Sequence, residues 1–374
     1  MKVLYTATVL SHICQFHLPH LKMLQAQGHQ VHVAAHDNLA EKNGLQLQRC
    51  DRFIEMPFRR SPLSWGNWRA YRQLRALLAR EHYDVILCNT PAGGVVTRLA
   101  ARKARKQGTK VIYMAHGFHF CKGSSKKSWL LYYPIEKLLA PLCDVLVTIN
   151  EEDAALAKEK FHPGRVEHIH GVGVRTERYH PAAKEAQAAL RSQEGLAAED
   201  FVILCTGELN GNKDQATLLS AAAILRRSIP RLRILLAGNG PKEAELKAQI
   251  ARSKLEDVVT LLGYRTDLEK VVPAADLVVS CSHREGLPLN IVEAMLCEKP
   301  VVATHNRGHD ELIREGVNGY LVDAGDAGAM AEKIARVYVD TAAARQMGAH
   351  GYSIAQAYTA NNVTKEMERI FASI

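Results

Sequence analysis

Short, nearly continuous apolar runs recur along the chain, separated by longer stretches of mixed character. Residues 1–8, 31–35, 85–88, 110–115 and 145–149 read as strands buried on both faces, and 53–55 as a weaker one. Apolar residues at helical spacing predict a helix over 19–27, ended by Gly28 as a C-cap, and an Arg-rich amphipathic helix over 67–80. A loop carrying Ser11, His12 and Gln15 is expected after the first strand. A second series of strands follows at 202–206, 232–237, 258–262, 277–280 and 301–303. The Ala-, Glu- and Gln-rich stretch 182–199 reads as a helix leading into that series, and a last helix is expected over 360–371. Strands alternating with helices predict an α/β fold of doubly wound, mostly parallel sheets. At 374 residues the chain exceeds one ordinary core, so two such domains are expected. The expected division is 1–178, 179–350 and a C-terminal helical segment, 351–374.

Composition adds little: 47% hydrophobic and 23% charged residues describe an ordinary globular chain. The uncharged run 3–21 is interrupted by Thr6, Ser11, His12, Gln15, His17 and Pro19, so neither a membrane span nor a signal peptide fits it. Eight scattered cysteines without a Cys-x-x-Cys pair suggest a reducing, cytoplasmic setting and no structural zinc. Charge says more. Residues 1–178 hold 26 Lys and Arg against 14 Asp and Glu, while the remainder is slightly acidic. Between Asp84 and Asp144 stand ten basic residues and one acid, Glu136. A solvated basic face would explain this, and so would an anionic partner such as lipid headgroups or a phosphorylated acceptor. Lys122, Lys126 and Lys127 precede Trp129, Leu130, Leu131, Tyr132 and Tyr133, an order suited either to a membrane interface or to core packing. Nucleic acid is disfavoured, because no reader motif accompanies the charge.

The candidate chemistry centres on residues 284–295. A buried strand leads into Arg284-Glu285-Gly286-Leu287-Pro288, and Leu289, Val292, Met295 and Leu296 then recur at helical spacing. Pro288 suits the first helical position. The amides of Leu289, Asn290 and Ile291 would then face outward as an anion site, with Glu285 in the loop before it and Glu293 behind. Spacing alone favours the plainer reading, a solvated loop glutamate at 285 and an ordinary surface helix position at 293. Further polar loops follow other strands, as ligand-binding loops do in open parallel sheets. They are His116 to His119, Gly207 to Lys213, Gly238 to Pro241, Gly263 to Arg265 and His305 to Asp310.

Glu285-Gly-Leu-Pro-Leu followed by Glu293-Ala-Met resembles the signature of the family-4 retaining glycosyltransferases, which have the GT-B fold. The resemblance implies two Rossmann-like domains facing across a cleft and a nucleotide-sugar co-substrate, UDP-linked, with no other cofactor and no metal. It implies that Glu285 contacts the donor sugar and Glu293 the ribose, with Gly286, Leu287, Leu289 and Asn290 completing that loop. By the same resemblance Lys213 meets the diphosphate, Gly238, Asn239 and Gly240 approach the nucleotide, and Gly263 and Arg265 flank the base. His116 corresponds to a histidine placed against the sugar; Thr8, Ser11, His119 and Gly207 are weaker candidates. The hinge would begin near residues 166–174 and Tyr179-His180-Pro181, and the last helix would cross back onto the first domain. His116-Gly-Phe-His-Phe and residues 131–139 are similar to bacterial capsule and exopolysaccharide transferases, which implies a saccharide or lipid-linked saccharide acceptor. One position departs from the pattern: Glu208 stands where many relatives carry a phosphate-binding arginine.

Other classes fare worse or stay open. Gly238-x-Gly-x-x-Glu243 lacks the third glycine of a dinucleotide fingerprint, no P-loop sequence occurs, and no Asp-x-Asp offers a metal pair. Diphosphate charge would fall to Lys, Arg and helix N-termini. A non-hydrolysing UDP-sugar epimerase of the same fold and a non-enzymatic, basic membrane-binding protein remain alternatives.

Overall fold

The computed structural model describes residues 1–41, 44–61 and 64–374. The chain divides into two units: Met1–Gly173 with Ala360–Ile374, and Val174–Thr359. Residues 174–178 and 351–359, assigned elsewhere from sequence, thus belong to the second unit. Val174 bridges Thr359, and Arg178 donates to Glu269 at 2.5 Å, which anchors that segment.

In the first unit, β1 (Lys2–Val9), β2 (Gln30–His36), β3 (Arg52–Glu55), β4 (Val85–Asn89), β5 (Lys110–Ala115), β6 (Val145–Thr148) and β7 (Arg165–His168) form a parallel sheet. Their order is β3-β2-β1-β4-β5-β6-β7. The sheet therefore changes direction between β1 and β4, the kind of point where such folds open a crevice at their strand ends. Helices α1 (Leu10–Phe16), α2 (Leu18–Ala26), α3 (Trp65–Arg80), α4 (Pro91–Ala100), α5 (Arg102–Arg105), α6 (Lys126–Leu139) and α7 (Glu151–Lys160) connect the strands. The terminal helix Ala360–Ala372 packs on α2 of this unit.

Two sequence expectations need correction here. Ser11, His12 and Gln15 lie on α1 rather than in a loop, because Leu10, Ile13 and Cys14 are buried at helical spacing beneath them. Residues 165–168 form β7, a polar edge strand whose half-buried positions gave no apolar run. The lone acid of the basic stretch is also resolved. Glu136 is buried, accepts from Arg98 Nη2 at 2.8 Å and from the Tyr113 hydroxyl at 2.9 Å, and so ties α6 to α4 and β5.

In the second unit, β8 (Phe201–Thr206), β9 (Leu232–Ala237), β10 (Val259–Gly263), β11 (Leu277–Ser280), β12 (Val301–Thr304) and β13 (Gly319–Val322) are parallel in the order β10-β9-β8-β11-β12-β13. The reversal falls between β8 and β11. Helices α8 (Lys184–Gln193), α9 (Gln215–Leu225), α10 (Glu243–Arg252), α11 (Leu268–Ala274), α12 (Leu289–Leu296), α13 (Arg307–Leu312), α14 (Ala327–Val339) and α15 (Thr341–Ala355) cover the sheet. α8 is shorter than the predicted 182–199, since Gly195 follows it at a positive φ of 71°. β13 was not predicted: only its two end residues are fully buried, and it begins with a glycine.

Candidate functional site

The second unit brings most of the predicted residues to the carboxyl end of its sheet. Lys213, in the loop after β8, places Nζ 2.6 Å from Glu285 Oε1, in the loop after β11. This ion pair spans the β8/β11 reversal. Its surroundings are built from backbone and amide groups. Asn210 Oδ1 accepts from the amides of Asn212 and Lys213, each at 2.9 Å, which curls the β8–α9 loop. Asn212 then joins the two loops, donating from Nδ2 to Arg284 O and accepting at its carbonyl from the His283 amide. Arg307 Nε donates to Glu285 O at 3.0 Å. A Cβ on Gly308 would lie 2.8 Å from Pro288 Cδ and 3.1 Å from Glu285 Cβ, so only glycine lets α13 approach so closely.

α12 begins one residue later than expected. Pro288 has extended backbone (ψ 104°) and is the N-cap, with Leu289 the first helical residue. The Ile291 amide already donates to Pro288 O at 3.1 Å, so the outward amides are those of Leu289 and Asn290 rather than three in a row. Leu287 is buried and pins the loop; the Asn290 side chain reaches Thr206 O at 3.4 Å.

Gly238 and Gly240 have a structural reason that the sequence did not show. A Cβ at Gly238 would sit 2.0 Å from Gly207 O, and one at Gly240 would sit 2.4 Å from Leu209 O. Asn239 O accepts from the Leu209 amide. The close backbone approach made by these glycines is thus to the neighbouring β8–α9 loop, where Gly207 has a φ of 141°. Glu208 points to its own loop, accepting from Asn210 Nδ2 at 2.9 Å. Arg265, expected beside the base, is held by Glu194 and Asp267 at 2.7–3.0 Å, so its guanidinium is already paired with two carboxylates. Gly263 takes a φ of 66° at the end of β10.

Glu293 lies on the second turn of α12, recessed behind the loop. Burial raises its carboxyl to about 7, against the lowering effects of the Tyr179 hydroxyl that donates to it and of nearby Arg178. Tyr179 is itself buried. Glu293 is therefore a proton-poised group at neutral pH, which helical spacing alone could not reveal.

In the first unit, His116 follows β5 and stands beside the β1/β4 reversal. Its Nε2 is 3.1 Å from Asn89 Oδ1 and 3.2 Å from His12 Nε2. His17 Nε2 is 3.4 Å from the same His12 nitrogen. Burial holds all three rings well below the usual histidine range, His12 at about 4. Thr8 is engaged as well: its hydroxyl contacts Thr90 Oγ1 at 2.7 Å and accepts from the Gly93 amide at 3.1 Å. Thr90, which sequence reasoning missed, is a β-branched residue at φ 65° and ψ 150°. Such strain in a residue at a strand end marks a position fixed by its surroundings. Ser11 exchanges hydrogen bonds with Asn38. His119 is exposed and packs its ring against Tyr132, 4.7 Å between centroids.

Comparisons agree with this architecture. Residues 186–354 match the family described as glycosyl transferases group 1, and residues 20–178 match glycosyltransferase family 4. The chain is 42% identical over 373 residues to EpsD of Bacillus subtilis (strain 168), whose glycosyltransferase name is itself provisional. That match covers 100% of this chain and 96% of EpsD. It is 27% identical over 273 residues to the Escherichia coli UDP-Gal:alpha-D-GlcNAc-diphosphoundecaprenol alpha-1,3-galactosyltransferase, covering 71% of this chain and 69% of that one. HepE of Anabaena, solved with UDP and glucose, superposes with a TM-score of 0.81 at 24% identity over the whole of both chains. Two doubly wound units, loops gathered at both sheet reversals and a near full-length relative converge: the chain belongs to the family-4, group 1 glycosyltransferases of GT-B fold.

Proposed function

We propose that this glycosyltransferase moves a sugar from a UDP-linked donor, with retention, to a saccharide carried on a lipid diphosphate, in the assembly of a bacterial surface polysaccharide. The carrying observation is the 2.6 Å Lys213–Glu285 pair at the β8/β11 reversal, set against the first amides of α12. A cation, a carboxylate and a helix N-terminus there can divide a nucleotide sugar between them. Lys213 and the amides of Leu289 and Asn290 take the diphosphate, so no metal is needed for its charge. Glu285, released from Lys213, accepts from sugar hydroxyls. Glu293 takes the ribose hydroxyls. The protein's contribution to rate is then positioning and stabilisation of leaving-group charge. The relatives support the ligand classes: HepE was solved with UDP and glucose, and the E. coli relative is named for a UDP-sugar donor and a diphosphoundecaprenol acceptor.

A membrane-borne acceptor fits the surface of α6. Leu130, Leu131 and Leu138 are exposed there beside Lys126, Lys127 and Lys137, while Trp129, Tyr132 and Tyr133 turn inward to pack on the core. The aromatic residues thus follow the core-packing reading, and the exposed leucines and lysines are what supports docking. Among the described residues no helix is long and apolar enough to cross a membrane, so docking is proposed as peripheral.

The test is Glu285→Gln, measured for turnover and UDP affinity. Turnover should fall at least 100-fold, roughly the loss seen when a charge-assisted contact made to the reacting group is removed, with UDP affinity little changed. Wild-type turnover would refute the assignment. UDP released equally with and without a diphosphate-lipid saccharide would argue for hydrolysis or epimerisation instead.

A further inference from the structure

The imidazoles at the ends of β1 and β5 are more than a packed cluster. We propose that His12, His17 and His116 bind one zinc ion through their Nε2 atoms, with Asn89 Oδ1 or a water at the fourth position. Their ring nitrogens lie within 4.8 Å of one another. The two closest separations are 3.2 Å and 3.4 Å. A tetrahedral ion with Zn–N distances of about 2.0–2.1 Å places its ligands roughly 3.3–3.4 Å apart, so the rings already stand at coordination spacing. Asn89 Oδ1 lies 3.1 Å from His116 Nε2, a spacing suited to a fourth vertex. Its orientation is fixed, because Nδ2 donates to Thr6 O at 3.2 Å.

Proton counting favours the ion over a hydrogen-bond chain. His12 Nε2 faces the Nε2 atoms of both His17 and His116, yet a neutral imidazole nitrogen carries either one proton or one lone pair. It can make one good bond of that kind, so one of the two contacts goes unsatisfied. An ion that accepts a lone pair from every ring removes the conflict. The outer contacts suit this too. His17 Nδ1 is 3.5 Å from His20 Nδ1. A proton on His17 Nδ1, donated to His20, leaves the His17 lone pair on Nε2, which is how metal-binding histidines are usually oriented. His20 Nε2 then carries its proton, and among the described residues it has no hydrogen-bond partner. Three imidazoles with one oxygen is a donor set that suits zinc. The ligands come from α1, from the turn between α1 and α2, and from the loop after β5, so the ion would join segments 104 positions apart.

The site stands on this geometry and not on the transferase reading, so its test reads metal rather than turnover. The chain, stripped with chelator and exchanged into chelator-free buffer, is titrated with Co2+ and then Zn2+. One ion should bind per chain, with the intense visible bands of four-coordinate cobalt, and one equivalent of zinc should bleach them. His12→Ala should weaken binding by more than about 100-fold, beyond the usual loss for an outer contact. His350→Ala, an exposed histidine, should change nothing. A pale six-coordinate spectrum, or binding that survives His12→Ala, would overturn the proposal. Should His12→Ala fail to fold, imidazole nitrogen NMR of the unaltered chain decides. Zinc must shift Nε2 of His12, His17 and His116 together, and no shift at those three overturns the site.

Discussion

Glu293→Gln should make the second unit more stable at neutral and alkaline pH, and the gain should vanish in acid. The ordinary carboxyl value is 4.5, and in the folded chain burial raises Glu293 to about 7. Below 4.5 the group is protonated in both states and contributes nothing. Between 4.5 and 7 the unfolded chain releases its proton while the folded chain keeps it, so stability falls as pH rises. Above 7 the loss is complete, at most about 3 kcal/mol from a separation of roughly 2.5 in pKa at 1.36 kcal/mol each. By pH 5 less than about 1 kcal/mol of that has appeared, so a drop of about 2 kcal/mol is expected between pH 5 and pH 8. A glutamine has no such charge to bury. The variant should therefore melt several degrees further above the wild type at pH 8 than at pH 5, at roughly 2–4 °C per kcal/mol for a unit of this size. Thermal unfolding of both proteins across this range is the assay. Parallel pH profiles would refute the burial argument, since a surface glutamate predicts them. UDP affinity supplies the other half: it should fall in the wild type as pH drops through 7, and be weaker but flat with pH in the variant.

Lys213→Ala should lose more turnover with the UDP-sugar than affinity for uridine, which has no phosphate; equal small losses would make Lys213 an ordinary surface lysine. Gly238→Ala puts a methyl 2.0 Å from Gly207 O and should destabilise the second unit by about 1–3 kcal/mol in urea unfolding, even without nucleotide. Arg98→Met leaves Glu136 buried and without its cation, and should destabilise the first unit by about 3–5 kcal/mol, read as an early melting step. Chain binding to vesicles rich in anionic lipid should weaken with salt and with Lys126→Glu/Lys127→Glu; binding indifferent to lipid charge would rule out the α6 surface.

What the sequence revealed, and what it hid, follows from how far each interaction reaches along the chain. The strands were legible because a β-strand buried on both faces must be apolar throughout, whatever its neighbours. β7 and β13 escaped because an edge position relaxes that demand. Glu285 and Lys213 could be marked only through their motif, since they stand 72 positions apart and nothing between them predicts a 2.6 Å contact. The glycines show the limit from the other side. Gly238 and Gly240 looked like a nucleotide-binding turn, yet the atoms they admit belong to the loop after β8. A glycine states that something comes close without stating what. Charge hid a contact in the same way. Ten basic residues face one acid in residues 85–143, but that acid is buried against Arg98, itself buried, so the pair leaves the surface together and the other nine basic residues stand without an acid among them. The histidines carry the point furthest. His12 and His17 alone are a loose pair on a short amphipathic stretch, and His116 alone is a strand-end residue. α1 and the turn after it bring the first two to 3.4 Å, and only the parallel register of β1, β4 and β5 brings His116 to 3.2 Å from His12. In both units the candidate residues gather where the sheet reverses direction, and those are the places a linear reading crosses without pause.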